Sequence, residues 1–215
     1  MSKLLKASRI NKSIRNHKIL TDISFELESG HVYGLWGRNG SGKTMLFRAL
    51  SGLMKVDSGS ICWDGQKLHQ DFSVLPNLGI VLEHAGLYPN MTGMENLSYL
   101  AGIKKTANRQ MICEAMERVG LDPYDKRIYR KYSMGMKQRL AIAQAVMEQP
   151  DIIMLDEPAN GLDESGVWKI RTLIRQEKER GALILLASHN REDMTLLADH
   201  INHMSDGSLA GGAGV

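Results

Sequence analysis

Apolar and polar residues alternate along the first part of the chain in a pattern that predicts β-strands. Period-two alternation is clearest over residues 19–27. The next apolar run, residues 32–36, is followed after a short gap by a helix-compatible segment at residues 45–50. Two more short strands are predicted at residues 60–63 and 78–82. This part of the chain is therefore expected to be mostly β-structure with one helix.

The pattern changes in the middle of the chain, where apolar residues recur at steps of three and four. This spacing predicts helical structure over residues 94–119 and a second helix over residues 136–147. Residues 152–155 are all apolar, which is typical of a strand buried in a parallel sheet. The remaining predicted elements are a helix at residues 164–180, a strand at 182–187, a short helix at 192–198 and a final strand with an Asp206-Gly207 turn.

This order of elements predicts an α/β fold with a parallel core made of two separated pieces and a helical insertion at about residues 90–145. The 215 residues suffice for one large domain or two small ones. The net charge of +3 is too small to indicate nucleic acid or an anionic membrane, and no nucleic-acid partner is expected. No apolar run approaches the ~20 residues that span a bilayer, so a role at a membrane would require another chain. Cys62 and Cys113 are isolated and are expected to be reduced cytosolic cysteines that serve in packing.

Residues 37–44, Gly-Arg-Asn-Gly-Ser-Gly-Lys-Thr, match the P-loop pattern G-x-x-x-x-G-K-[ST] between a predicted strand and a predicted helix. Such a loop aims backbone N–H groups and a helix N-terminus at one anion, and its glycines let the backbone approach a phosphate closely. Lys43 is expected to reach the β- and γ-phosphates and to act in catalysis, and Thr44 to bind Mg²⁺. The alternative, a glycine-rich turn without a ligand, is disfavoured by the flanking elements. The predicted nucleotide-binding residues of this stretch are Asn39, Gly40, Ser41, Gly42, Lys43, Thr44 and Met45.

Two carboxylates follow the buried strand at residues 152–155. Asp156 is predicted to lie at the carboxyl edge of the sheet, beside the P-loop, where it would bind Mg²⁺. Glu157 is predicted to point to the other side of the strand end, where it could polarise an attacking water. A solvated strand end with two acids is the alternative, and the P-loop partner disfavours it.

Three further segments occur in an order that points to one family. Residues 131–140 read Lys-Tyr-Ser-Met-Gly-Met-Lys-Gln-Arg-Leu, residues 160–163 read Asn-Gly-Leu-Asp, and residues 187–189 read Ala-Ser-His. Together with the P-loop and the paired carboxylates, they make the chain resemble the ATP-binding cassette of ABC transporters over nearly its whole length. In that resemblance the three segments correspond to the signature motif, the D-loop and the switch histidine.

The resemblance implies a fold and a division of the chain. The fold is a P-loop NTPase with a RecA-like parallel core, an N-terminal antiparallel β-subdomain and an inserted α-helical subdomain. Residues 1–215 would form a single ABC ATPase domain. Core and β-subdomain would comprise residues 1–89 and 146–215, and the helical subdomain, carrying the signature motif, residues 90–145.

The resemblance also implies roles for single residues. Ser133 and Gly135 would contact ATP held by an opposite subunit, because in the family two chains enclose two nucleotides head to tail. Asp163 would belong to the same nucleotide site. His189 would bond the γ-phosphate and position the water, and Glu157 would act as general base. A lone histidine is more often structural, but its place at a strand end favours the functional role.

Several positions depart from the common family pattern. Ile14 stands where an aromatic ring usually stacks on adenine, a contact of about 1–3 kcal/mol at other base-binding sites, and His17 is a candidate substitute. Glu83 replaces a glutamine that would bind Mg²⁺, and it still offers an oxygen while adding charge. Met134 and Met136 replace a glycine and the glutamine of the signature. These choices resemble the branch that serves bacitracin- and lantibiotic-type exporters.

The function implied is an ATP-hydrolysing subunit that needs ATP and Mg²⁺. It would dimerise on ATP, as a homodimer or a pseudo-symmetric heterodimer, and drive a separate membrane permease subunit from the cytoplasmic face, with export the expected direction. The segment around residues 87–91 would either dock that permease or simply pack. One alternative is a soluble non-transport ABC ATPase, although the long coiled-coil insertions or tandem cassettes of that group are missing here. Another is a weakly hydrolysing ATP-binding regulator, which Ile14 supports.

Overall fold

The computed structural model describes residues 2–82 and 86–210. In chain order, the strands are β1 (Leu4–Ile14), β2 (His17–Glu28), β3 (Val32–Trp36), β4 (Ser58–Trp63), β5 (Gln66–Lys67), β6 (Leu78–Val81), β7 (Ile152–Asp156), β8 (Leu183–Ser188), β9 (His200–Ser205) and β10 (Ser208–Ala210). The α-helices are α1 (Lys43–Ser51), α2 (Gly93–Lys104), α3 (Arg109–Arg118), α4 (Met134–Val146), α5 (Glu164–Glu179) and α6 (Arg191–Leu197). The elements form an α/β fold with a separate antiparallel sheet, as predicted.

Two sheets organise these elements. The antiparallel sheet has the strand order β2-β1-β4-β5, and the larger sheet has the order β10-β9-β3-β8-β7-β6. All neighbouring pairs of the larger sheet are parallel except β9 and β10, which form an antiparallel hairpin. Because parallel strands end at the same edge of a sheet, the segments that follow β3, β7 and β8 meet there. This edge brings the P-loop, the paired carboxylates and His189 together.

The larger sheet is covered on both faces, which explains the uninterrupted apolar sequence of β7. Ile153 and Leu155 belong to a core cluster formed with α3, α4 and α5, whereas Ile152 and Met154 belong to a second cluster formed with α1 and the antiparallel sheet. Successive side chains of a strand point to opposite faces, so a strand with two buried faces needs apolar residues at every position.

The prediction of continuous helical structure over residues 94–119 was wrong in one respect, because two helices occupy this stretch. Lys105 ends α2 in the left-handed conformation, with a φ of 59°. The Asn108 side chain then accepts a hydrogen bond from the Met111 backbone N–H and begins α3. Local capping interactions therefore end one helix and begin the next, although the apolar spacing continues through this point. The described residues include no helix that is both long and apolar enough to cross a membrane.

Candidate functional site

A cleft of about 720 Å³ lies at the carboxyl edge of the larger sheet. Its walls include Lys43, Asp156, Glu157 and His189, which come from α1, β7 and the end of β8. The structure thus gathers into one cleft residues that are far apart in the sequence, from Lys18 to Gly207. These four are among the residues that the sequence predicts for phosphate binding, Mg²⁺ binding and catalysis.

The P-loop wraps around the start of α1. Gly42 caps this helix with a φ of 107°, and a glycine has no side chain that could accept a capping hydrogen bond, so the first helical N–H groups are left for a ligand. Lys43 is only 6% exposed, and its Nζ donates to the carbonyls of Gly37 (2.7 Å) and Arg38 (3.2 Å). The Ser41 hydroxyl is buried and has no hydrogen-bond partner within residues 2–82 and 86–210. A buried cation, an unpaired hydroxyl and open helix N–H groups together fit a phosphate group.

Thr44 and Asp156 meet directly across the cleft. The Thr44 hydroxyl donates a short hydrogen bond to the Asp156 carboxylate, which is 3% exposed, so α1 and the end of β7 are held together at this point. A hydroxyl and a carboxylate supply the oxygen ligands that Mg²⁺ prefers. The donor set therefore fits the ion. Glu83, the third predicted ligand, lies outside the described residues.

Glu157 adopts a left-handed backbone conformation, with a φ of 48°, which is uncommon for a non-glycine residue. Its backbone N–H donates to the Ala187 carbonyl at 2.8 Å, which ties it to the end of β8. Its Oε1 accepts from the His189 backbone N–H at 3.1 Å, and lies 2.9 Å from His189 Nδ1 and 3.9 Å from Lys43 Nζ. The strained turn thus directs the carboxylate at the imidazole and the P-loop lysine.

The predicted signature and D-loop residues begin two helices. Ser133 caps α4 by accepting from the Met136 backbone N–H at 3.2 Å, and Asp163 caps α5 by accepting from the Gly166 N–H at 3.0 Å. The bond from Gly166, with a second from Ser165, holds the pKa of Asp163 below its ordinary value. Neither Ser133, Gly135 nor Asp163 lines the cleft that holds Lys43. The neighbouring Met134, Lys137 and Gln138 of α4 and Asn160 of the predicted D-loop do line it.

Several lining residues were not singled out as ligands from the sequence. Lys18 and Ile19 of β2, and Asp206 and Gly207 of the β9–β10 turn, also line the cleft. The Gly207 N–H donates to the Ser41 carbonyl at 3.0 Å, which packs this turn on the P-loop. The sequence carried only a turn signal at Asp206-Gly207 and no motif at the other two positions.

The residue at the position expected to face the adenine ring, Ile14, lies outside the cleft. Ile14 is 41% exposed, pairs with the exposed His17 at the end of the β1–β2 hairpin, and does not line the cleft. His17 does not line it either. The near neighbours Lys18 and Ile19 line it instead.

Comparison with protein families gives one match that covers most of the chain. A family model described as "ABC transporter" matches residues 20–160. The YybJ protein of Bacillus subtilis, described as an uncharacterised ABC transporter ATP-binding protein, is 44% identical over 206 residues, which are 96% of this chain and 94% of the relative. The bacitracin transport ATP-binding protein BcrA of Bacillus licheniformis is 37% identical, over 97% of this chain and 69% of the relative. The lantibiotic transport ATP-binding protein SrtF of Streptococcus pyogenes is 33% identical, over 96% and 89%.

Solved structures with the same fold include ABC cassettes. The dimeric structure of MJ0796, a bacterial ABC transporter cassette, has a TM-score of 0.85 at 22% identity and covers 96% of this chain and 97% of its own. A structure of the ATP-binding subunit of an ABC transporter has a TM-score of 0.88 at 23% identity, over 97% of this chain and 88% of its own. At these identities the similarity shows the fold.

Proposed function

The chain belongs to the ABC transporter family, and we propose that it is the ATP-hydrolysing subunit that dimerises on ATP and drives a separate membrane permease. As an ABC ATPase it binds and hydrolyses ATP. The observation that carries the hydrolytic part of the proposal is the position of the Glu157 carboxylate, 2.9 Å from His189 Nδ1 and 3.9 Å from Lys43 Nζ. A base, a γ-phosphate contact and a phosphate-binding cation are thus within reach of one reacting group.

Each of these residues has a distinct role in the proposed mechanism. Lys43 and the N–H groups at the start of α1 hold the phosphates, which positions them and offsets their charge. Glu157 accepts a proton from the attacking water, and His189 orients that water and contacts the γ-phosphate. Thr44 and Asp156, with Glu83, would hold Mg²⁺. When bound, this ion neutralises charge on the β- and γ-phosphate oxygens.

The position of Ser133 relative to the P-loop cleft supports dimerisation. Ser133 at the start of α4 is well suited to a γ-phosphate, because a helix N-terminus and a hydroxyl converge there. Ser133 itself does not line the cleft of its own P-loop, whereas Met134, Lys137 and Gln138 of the same helix do. A second cassette, identical or closely related, would bring its Ser133 and Gly135 to this cleft. MJ0796, which shares the fold, is described as dimeric.

The first test is the variant Glu157→Gln. It should lower the ATP turnover rate by about 10²–10⁴-fold, the usual contribution of a general base, and accumulate an ATP-bound dimer. Turnover by phosphate release and dimerisation by size exclusion with ATP would measure both effects. Glu179→Gln, an exposed carboxylate at the end of α5, serves as the matched control and should behave like the parent. Turnover equal to the parent's in Glu157→Gln would contradict the assignment of the base and favour the weakly hydrolysing regulator.

Two observations support the proposed permease partner and the proposed direction of transport. One is an exposed surface near residues 87–91, and the other is the set of relatives with transport names. Tyr88 and Tyr99 are both about half exposed, and their rings stack edge to face at 5.0 Å beside the segment predicted to dock a permease. Relatives named for bacitracin and lantibiotic transport support export of a peptide, an antibiotic or another small molecule. Adjoining exposed apolar side chains occur at protein–protein interaction sites, which supports a docking role for this segment.

The test of the permease proposal is a tagged pull-down from detergent-solubilised host membranes. The parent should recover a stoichiometric membrane protein with several apolar helices, and Tyr88→Ser with Tyr99→Ser should lose it while keeping ATPase activity. Tyr124→Ser, at a residue that is 71% exposed elsewhere, is the control. Recovery of soluble partners alone would overturn the transport role and leave the ATPase.

A further inference from the structure

Met134, in the first turn of α4, folds its side chain over Gly161 of the predicted D-loop. A Cβ built on Gly161 would lie 2.1 Å from Met134 Cε and 3.5 Å from its Sδ, so the methyl group occupies the space that any other residue would need. Gly161 also has a φ of 73°, which favours glycine. Met134 is nevertheless 66% exposed, so the rest of its surroundings do not confine it.

Further contacts hold the start of α4 against the turn formed by residues 157–162. A Cβ on Gly135 would lie 2.9 Å from the Gly161 carbonyl oxygen, which shows how closely the two backbones approach. The Gln138 side chain donates to the carbonyls of Glu157 and Pro158, both at 3.5 Å. The start of α4 is therefore fixed on this turn, and Met134 has a defined position in which its thioether can rest.

We propose that Gly161 is a seat that keeps the Met134 side chain off the N-terminal face of α4. This inference rests on the proposed function, in which Ser133 and Gly135 receive a nucleotide held by a second subunit. A phosphate must approach a helix N-terminus closely, and a flexible thioether with three rotatable bonds would obstruct that approach if it turned outward. The seat makes a methionine compatible with the signature position, and Met134 and Gly161 act together as positioning residues for the opposite nucleotide.

The test combines Gly161→Ala with Glu157→Gln and measures ATP-dependent dimerisation. The added Cβ meets only the far end of a flexible side chain, so the protein should fold while Met134 turns outward. The ATP concentration needed for dimerisation should rise by about tenfold or more, as expected when a hydrogen bond to a charged group is lost. The monomer should keep its affinity for nucleotide at the P-loop. Titration with a fluorescent ATP analogue measures this affinity.

A second substitution distinguishes displacement of the Met134 side chain from a general effect of backbone strain at Gly161. Met134→Gly added to Gly161→Ala should restore dimerisation, because nothing then remains to be displaced. Gly65→Ala controls for backbone strain, since Gly65 has a φ of 82° and no described heavy atom lies within 4 Å of its added Cβ. Met134→Ile should weaken dimerisation without any change at Gly161, because a β-branched side chain is stiff at χ1 and cannot fold over the seat.

Two outcomes would overturn the seat. One is dimerisation of Gly161→Ala equal to that of the Glu157→Gln parent. The other is a double variant with Met134→Gly that stays as weak as Gly161→Ala alone. If the Glu157→Gln parent itself forms no dimer with ATP, the proposed function fails together with the inference, so the two failures can be told apart.

Discussion

At the scale of single residues, the site is built from polar groups that the protein itself only partly satisfies. Lys43 is buried with its charge against two carbonyls, and the Ser41 hydroxyl is buried without a hydrogen-bond partner in the described part of the chain. An unpaired buried hydroxyl costs about 1–3 kcal/mol. Such a cost is tolerated where a bound ligand supplies the missing hydrogen bond. The unpaired hydroxyl of the P-loop is therefore consistent with phosphate binding.

The variant Ser41→Ala tests this interpretation, because it should affect the stability of the free protein and its affinity for ATP in opposite directions. Without ATP, its stability should equal or exceed that of the parent, because the substitution removes an unsatisfied group. Its affinity for ATP should fall about tenfold or more, since a hydrogen bond to a charged group contributes about 1.5–3 kcal/mol. Thermal unfolding without nucleotide and titration calorimetry with ATP measure the two effects. A clear loss of stability without ATP would show that the hydroxyl has a structural partner.

At the scale of elements, the helix N-termini divide into two kinds. Five of the six described α-helices begin at a side-chain cap: Thr92, Asn108, Ser133, Asp163 and Asn190. Only α1, which begins at Gly42, has no side-chain cap. A cap satisfies N–H groups that would otherwise need water or a ligand. The uncapped helix is the one that opens onto the P-loop cleft.

The capping box of α2 predicts a dependence of stability on pH. The hydrogen bond from the Thr92 backbone N–H, with the Thr92 hydroxyl contact, holds the pKa of Glu95 below its ordinary value of 4.5. The unfolded chain therefore binds this proton at higher pH than the folded chain does. The capping box stabilises the protein above about pH 4.5 and loses this effect as pH falls through the lower folded pKa. Glu95→Gln should flatten the fall of the urea midpoint between pH 7 and pH 3.5.

The control for this experiment is Glu179→Gln, at an exposed carboxylate without a capping role. It should retain the pH dependence of the parent. An unchanged slope in Glu95→Gln would mean that the capping box contributes nothing to acid sensitivity.

At the scale of the whole molecule, ion pairs join the helices around α4 to the parallel core. The Glu177 carboxylate on α5 is 2% exposed and lies 2.6 Å from Arg118 on α3 and 2.7 Å from Arg180. Arg118 also donates to the Gln176 side chain at 3.1 Å. Both arginines are about 30% exposed, so they can reach water if the carboxylate is removed. The division of the chain at residues 90 and 145 stays a prediction, and this contact crosses it.

The variant Glu177→Ala should lower the free energy of unfolding by about 1.5–3 kcal/mol, the range for hydrogen bonds that involve charged groups. Urea unfolding measures this effect, and Glu179→Ala on the same helix should change stability by less than about 0.5 kcal/mol. If the ion pairs also orient α4, the turnover rate per folded molecule should fall as well. A stability equal to the parent's would show that the arginines compensate fully through water.

The sequence by itself determined the elements whose signals are contiguous. The P-loop, the apolar strand that ends at Asp156 and the helix after Asp163 are each encoded in one short stretch, because glycine φ values, capping side chains and burial periodicity act locally. The order of these stretches was enough to identify the fold and the family, both now shown by comparison. The roles of Glu157, His189 and the signature residues remain predictions.

Only the tertiary structure decided which distant residues touch. Glu157 meets His189 because two neighbouring parallel strands end at one edge, and Lys18 joins the cleft because a separate sheet packs above it. The seat of Met134 on Gly161 joins the start of α4 to the turn before α5. Periodicity describes which face of an element is buried but not which element covers it, since that depends on how the sheets and helices pack. For this reason the sequence predicted the chemistry of the site and the structure supplied its geometry.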